Sequence, residues 1–295
     1  MHAGEVETDA ALVRQLLAAQ FPQWAGLPVL PVPSAGTDNA LYRLGDDLAV
    51  RLPRIHWAVG QAVKEDAWLP RLAPTLPLAV PTVLAHGQPG EGYPYPWAVY
   101  TWLGGANAAQ SPPDDIVTAA VELAGFLRAL QRIDTTGGPR AADHGLRGAP
   151  LSGRDAATRE AIAVLDSTID TAAATAIWED ALRAAEWNRP PVWFHGDLLP
   201  GNLLVAGGRL SAVIDWNGLG VGDPACDLVI AWALFAGESR AAFRAVLGVD
   251  DAMWARGRGH ALSQALIFIP YYLHTNPLGV AYHRRTLNAL LADGA

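Results

Sequence analysis

The feature that most constrains the fold is a change of pattern at Gly104-Gly105-Ala106-Asn107. Before this point apolar residues come in short runs parted by turn residues; after it they recur at helical spacing over long stretches. In the first part, Leu12, Val13, Leu16 and Leu17 predict a helix over 10–21, with Thr8 or Asp9 as cap. Strands are predicted over 27–32, 40–44 and 48–52, separated by turns at 34–39 and 45–47, and this reads as antiparallel sheet. A helix over 57–72 and strands over 76–86 and 97–103 complete an N-terminal lobe, 1–103. The remainder, 104–295, reads as a larger, mainly helical lobe, with helices over 114–133, 155–170, 176–186, 224–235, 240–246, 253–268 and 278–291. Segment 191–215 interrupts those helices with a loop and a hairpin turning at Gly207-Gly208. The fold class is therefore α+β with two lobes.

A chain of 295 residues that is 51% hydrophobic can bury a large core. Its formal charge of -8 disfavours a general nucleic-acid binder and suits a cationic partner. The first residues lack the basic and then apolar run of a secretory signal, and no apolar stretch has the length of a membrane span, so a cytoplasmic location is expected. The single cysteine, Cys226, lies in an apolar run and reads as a small core residue.

The residues most suggestive of chemistry are in the interrupting segment. Phosphoryl transfer to a hydroxyl needs a carboxylate to orient the nucleophile and take its proton, and hard oxygen ligands for a divalent metal. His195-Gly196-Asp197-Leu-Leu-Pro-Gly-Asn202 offers a carboxylate and an amide on one short loop. Asp215 follows the apolar run 210–214, and a hairpin would fold it back toward Asn202.

The spacing of His195, Asp197 and Asn202 matches the H-x-D-x-x-x-x-N catalytic-loop pattern, and Asp215 stands where protein kinases carry D-F-G. With Asp223-Pro224-Ala-Cys-Asp227 matching D-P-x-x-D, the chain resembles the aminoglycoside phosphotransferase family, which includes aminoglycoside and macrolide kinases. The resemblance implies a protein-kinase-like fold, Asp197 as catalytic base, Asn202 and Asp215 as Mg2+ ligands, and His195 and Asp227 as supports. It also implies ATP or GTP as donor.

In the N-terminal lobe, Arg51 stands where kinase-like enzymes carry a strand lysine, and Glu65 matches the helix glutamate that orients it; Asp66 competes for that part. Adjacent helix positions point about 100° apart, so only one of the two faces Arg51. The hairpin carrying Ser34 and Thr37 holds one glycine, Gly36, in place of a Gly-rich phosphate loop, and its amides and hydroxyls are candidates for phosphate oxygens. By resemblance, main-chain groups of Thr101 and Leu103 would meet the purine.

The acceptor implied by the resemblance is a small molecule that presents a hydroxyl: a cationic, aminoglycoside-like antibiotic first, a macrolide or metabolite second. Carboxylates that suit ammonium groups are Asp166, Asp170, Glu179, Asp180 and Glu238, though no motif selects among them. A protein kinase is disfavoured, since no Arg follows His195 and no Ala-Pro-Glu segment occurs. A non-catalytic nucleotide sensor would be expected to lack one of Asp197, Asn202 and Asp215, all of which are present.

Overall fold

Asp9 opens the first helix. Its carboxylate accepts the Leu12 N–H at 2.8 Å, and α1 (Ala10–Gln20) then buries Val13, Leu16 and Leu17. The computed structural model describes residues 4–33, 36, 38–141 and 147–293, so the predicted site residues Ser34 and Thr37 lie outside the described residues. The chain forms two compact units, Met1–Pro74 with Ala79–Gly104, and Thr75–Leu78 with Gly105–Ala295.

In the first unit an antiparallel sheet runs in the order β1-β2-β3-β5-β4. Its strands are β1 (Val29–Pro31), β2 (Asn39–Leu44), β3 (Leu48–Pro53), β4 (Val83–Gly87) and β5 (Trp97–Thr101). The α1 side chains pack on Tyr42, Leu44, Val50, Leu52, Trp97 and Val99 from one sheet face, as period-2 alternation requires. β4 is shorter than the expected 76–86 because Pro77 and Pro81 lack the N–H a ladder needs. The helix expected over 57–72 is α2 (Gln61–Leu72), entered after a separate single turn at His56–Ala58.

The second unit is mainly helical, with two small antiparallel sheets. One is β6 (Ala106–Asn107), β8 (Leu203–Ala206) and β9 (Arg209–Val213); the other pairs β7 (Val192–Phe194) with β10 (Gly220–Gly222). Its helices are α3 (Ile116–Leu130), α4 (Asp155–Val164), α5 (Thr171–Arg183), α6 (Ile230–Ala233), α7 (Gly237–Leu247), α8 (Asp251–Tyr272) and α9 (Pro277–Ala292). The single helix expected over 155–170 stops at Val164, since Asp170 caps the next one by accepting the Ala173 N–H at 2.9 Å. α8 runs through this unit and buries Ala261, Leu262, Ala265, Leu266 and Ile269. Cys226 is a buried free thiol. Among the described residues no helix is long and apolar enough to cross a membrane.

Candidate active site

The loop leaving β7 carries the catalytic-loop pattern, and one buried carboxylate holds its backbone. Asp227 accepts the His195 N–H at 2.8 Å and the Gly196 N–H at 2.7 Å, one on each oxygen. Burial pushes the Asp227 pKa up to about 7, against the opposing pull of those two N–H donors. His195 is fully buried and its ring joins two segments: Nδ1 accepts the Asp197 N–H of its own loop at 3.2 Å, and Nε2 lies 3.0 Å from the Ile214 carbonyl just before Asp215. The acceptor role of Nδ1 puts the proton on Nε2. Gly196 is at φ 82, and a Cβ there would come within 2.3 Å of the Gly218 carbonyl oxygen.

This framework presents Asp197 with several partners. Its Oδ1 is 2.8 Å from Arg147 Nη1 and accepts Gln264 Nε2 at 3.3 Å. Asn202 Nδ2 donates to the Asp197 carbonyl at 2.8 Å and to Oδ2 at 3.3 Å. Burial by itself raises the Asp197 pKa, but the Arg147 guanidinium, by charge and by hydrogen bond, more than offsets it and holds the carboxyl below its ordinary range. The same Arg147 Nη1 also donates to the Gly196 carbonyl.

Asn202 and Asp215 come together through the hairpin. β8 and β9 pair Leu203 with Val213, and the Ile214 N–H extends that ladder to the Asn202 carbonyl at 2.9 Å, leaving Asp215 next in line. Asp215 has φ 61, a left-handed conformation that non-glycine residues adopt at a cost and that clusters at functional sites. With Asn202 Nδ2 committed to Asp197, its Oδ1 faces away from that residue, and Asp215 adds a carboxylate. These are hard oxygen donors of the kind Mg2+ takes, and one or two from protein suffice when water and phosphate supply the rest. Among the described residues no group of three or more His, Cys, Asp or Glu is arranged to hold a metal by itself. The donor set therefore fits an ion shared with a phosphate ligand rather than a closed protein cage.

In the first unit, Arg51 Nη1 on β3 donates to both oxygens of Glu65 on α2 at 2.9 Å, and Glu65 is fully buried. The Tyr100 hydroxyl donates to Glu65 Oε2 at 2.6 Å. Asp66, the competitor, turns the other way and meets His86 Nε2 at 2.9 Å. At the end of β5 the Thr101 N–H goes to the Thr82 carbonyl at 2.9 Å and the Trp102 N–H to the Asp47 carbonyl at 2.7 Å. Leu103 follows as the chain leaves the sheet.

The carboxylates considered for an acceptor are used elsewhere or lie in water. Asp170 caps α5, Glu179 pairs with Arg159 at 2.5 Å, Asp180 stands 3.8 Å from Arg183, and Asp166 and Glu238 are exposed. Residues that sequence reasoning did not single out surround Asp197 instead. Arg147 sits in a Gly/Pro-rich stretch with no periodicity to mark it. His283 on α9 is buried against Phe268 at 4.1 Å, and burial pushes its pKa down to about 4 although Asp197 pulls it up. Gln264 lies on α8, outside every matched motif.

A comparison with curated protein sequences found no match. Solved structures match over nearly the whole chain. The GDP and kanamycin complex of the phosphotransferase APH(2″)-IIIa superposes with a TM-score of 0.74 at 18% identity, covering 96% of this chain and 99% of that one. The macrolide 2′-phosphotransferase MphH from Brachybacterium faecium gives a TM-score of 0.60 at 24% identity, covering 96% and 97%. A macrolide 2′-phosphotransferase of type I gives 0.63 at 21% identity, covering 99% and 98%. These likenesses show the kinase-like fold of aminoglycoside and macrolide phosphotransferases. The family model described as phosphotransferase enzyme family matches residues 29–260, a span that takes in Arg51, Glu65, the whole catalytic loop, Asp215 and Asp227, and the chain belongs to that family.

Proposed function

We propose that this chain transfers the γ-phosphoryl group of ATP or GTP to a hydroxyl of a small-molecule acceptor, an aminoglycoside-like antibiotic in the first instance, with Asp197 as the base. The observation that carries this reading is the constellation around one carboxylate. Asp197 is kept ionised beside Arg147, and Asn202 bonds it while lying next to Asp215 in the hairpin. An ionised, fixed carboxylate can take the acceptor's proton as the new O–P bond forms and the bond to the leaving nucleoside diphosphate breaks.

Asn202 Oδ1 and Asp215 would hold Mg2+, which when bound offsets phosphate charge. Arg51, braced by Glu65 and Tyr100, is assigned to the donor's phosphates; its planar fork keeps its charge at any working pH. The Thr101 carbonyl and the Leu103 main chain are assigned to the purine. The GDP and ADP complexes among the similar structures support a nucleotide donor. Complexes with kanamycin, streptomycin and gentamicin support a small-molecule acceptor. The macrolide 2′-phosphotransferases among the similar structures support the macrolide alternative.

The test is a panel of aminoglycosides, macrolides and small alcohols with ATP and GTP, read by mass spectrometry for a gained phosphate. In that assay Asp197→Ala is expected to lower kcat by about two to four powers of ten with the nucleotide KM little changed. A fully active Asp197→Ala enzyme would remove the base from the mechanism.

A further inference from the structure

The two oxygens of Asp197 are not equivalent, and the difference is made by a residue outside every motif. Oδ1 meets the Arg147 guanidinium at 2.8 Å and the Gln264 amide at 3.3 Å. Oδ2 meets, among the described residues, only the Asn202 amide, at 3.3 Å. Arg147 also donates to the carbonyl of Gly196, the residue immediately before Asp197. One guanidinium thus ties the base's side chain to the base's own backbone and limits rotation of the carboxylate.

The anchorage of Arg147 is specific as well. Gly148, next in the chain, is at φ 65, and a Cβ there would lie 2.3 Å from Cε1 of Phe194, the last residue of β7. Its carbonyl accepts the Asp223 N–H at 3.0 Å. Asp223 is itself tied to Arg256 of α8 at 2.7 Å, in a pair that is buried on both sides. Arg147 therefore projects from backbone wedged against the strand that feeds the catalytic loop and fastened to the D-P-x-x-D segment.

Resting on the phosphotransferase reading above, we propose that Arg147 is the positioning residue of the catalytic base: it occupies Asp197 Oδ1 and leaves Oδ2 as the oxygen that accepts the proton. The guanidinium is required because the task is to reach a carboxylate oxygen and a backbone carbonyl together. Both contacts are made by Nη1, whose two N–H bonds are fixed in the guanidinium plane, so they are held with little loss of freedom; an ammonium on a flexible stem holds them less well. An amide or a truncated side chain leaves the carboxylate free to rotate about its bond, and small misplacements of a reacting group cost up to about 100-fold in rate.

The test needs no knowledge of the acceptor, since water can serve. Release of inorganic phosphate from Mg·ATP or Mg·GTP is measured for the wild-type chain and for Asp197→Ala, Arg147→Ala and Arg147→Lys. Melting temperature and nucleotide KM are followed in parallel. Arg147→Ala is expected to lose roughly 10- to 100-fold in kcat with nucleotide KM unchanged, and added methylguanidinium to restore part of the rate. Arg147→Lys is expected to fall between the two, and it carries the test if the alanine variant does not fold. A purely structural arginine would give no rescue and would lower stability and kcat together. A kcat equal to or above wild type, or a loss confined to nucleotide KM, overturns the inference while the reaction stands. A wild-type chain that releases no phosphate and modifies no acceptor, or an Asp197→Ala variant as active as wild type, overturns the phosphotransferase reading itself.

Discussion

At the residue scale, what sets this chain's chemistry apart from a generic polar loop is the pairing of each charge with a specific partner. Arg51 and Glu65 illustrate it. Adjacent helix positions left Glu65 and Asp66 as rivals, and the geometry assigns Glu65 to Arg51 and Asp66 to His86. Because Glu65 is fully buried, removing its cation is costly. Arg51→Ala is expected to lower stability by about 3 kcal/mol, the cost of an uncompensated buried charge, and to raise the nucleotide KM. Chemical denaturation and initial rates at varied ATP check the two effects separately, and a rise in acceptor KM alone would refute the assignment of Arg51 to phosphate. Glu65 was legible as a match to the helix glutamate of kinase-like enzymes. Arg147 was not, because a side chain that reaches across from an irregular segment leaves no periodic trace.

At the scale of elements, the catalytic loop is shaped by close backbone approach. Gly196 packs on Gly218 with no room for a Cβ, so Gly196→Ala combines a forbidden conformation with a clash against main chain. That variant is expected to lose activity and several degrees of melting temperature together, which thermal unfolding and rate measurement check side by side. Asp170 provides a contrast. It caps α5 and was an acceptor candidate on sequence; Asp170→Ala is expected to cost about 1 kcal/mol in stability and to leave kcat unchanged. A selective loss of acceptor binding in this variant would return it to the site. The same cap explains why the helix expected over 155–170 ends early and the next, expected from 176, begins at Thr171: a short polar residue that competes for free N–H groups starts a new helix where apolar periodicity alone runs through. The pairing of β7 with β10 went unpredicted because both strands have three residues, too few for period-2 alternation to register.

At the scale of the whole molecule, buried histidines set the response to acid. Burial pushes the pKa of His260 down to about 3, with Arg154, Arg256 and Arg147 adding to the effect, and that of His283 down to about 4. Both lie below the unfolded value of about 6.5, so the unfolded chain binds more protons in the interval between. Stability from these two groups is complete above about pH 6.5 and falls as pH drops toward 4. Asp227 works in the opposite sense: raised to about 7 in the folded chain, it holds a proton that the unfolded chain releases above about pH 4, so its contribution falls as pH rises. Two histidines against one carboxyl leave a net gain in stability from pH 4 to 6.5. Melting temperature should rise over that range, and His260→Gln should flatten the rise. A profile with the same slope in the variant would remove His260 from the cause.

The sequence by itself determined the fold class and most of the elements, and it singled out Asp197 as a candidate, because these depend on local periodicity, turn residues and fixed spacings along one stretch of chain. Matched spacing likewise led to Asn202 and Asp215, which flank the β8–β9 hairpin where the Asn202 carbonyl accepts the Ile214 N–H. Only the tertiary structure decided which partner each charge has: Arg147 and Gln264 on Asp197, Tyr100 on Glu65, Arg256 on Asp223. Those contacts join residues far apart in sequence, and their strength depends on burial and distance, quantities that no spacing along the chain encodes.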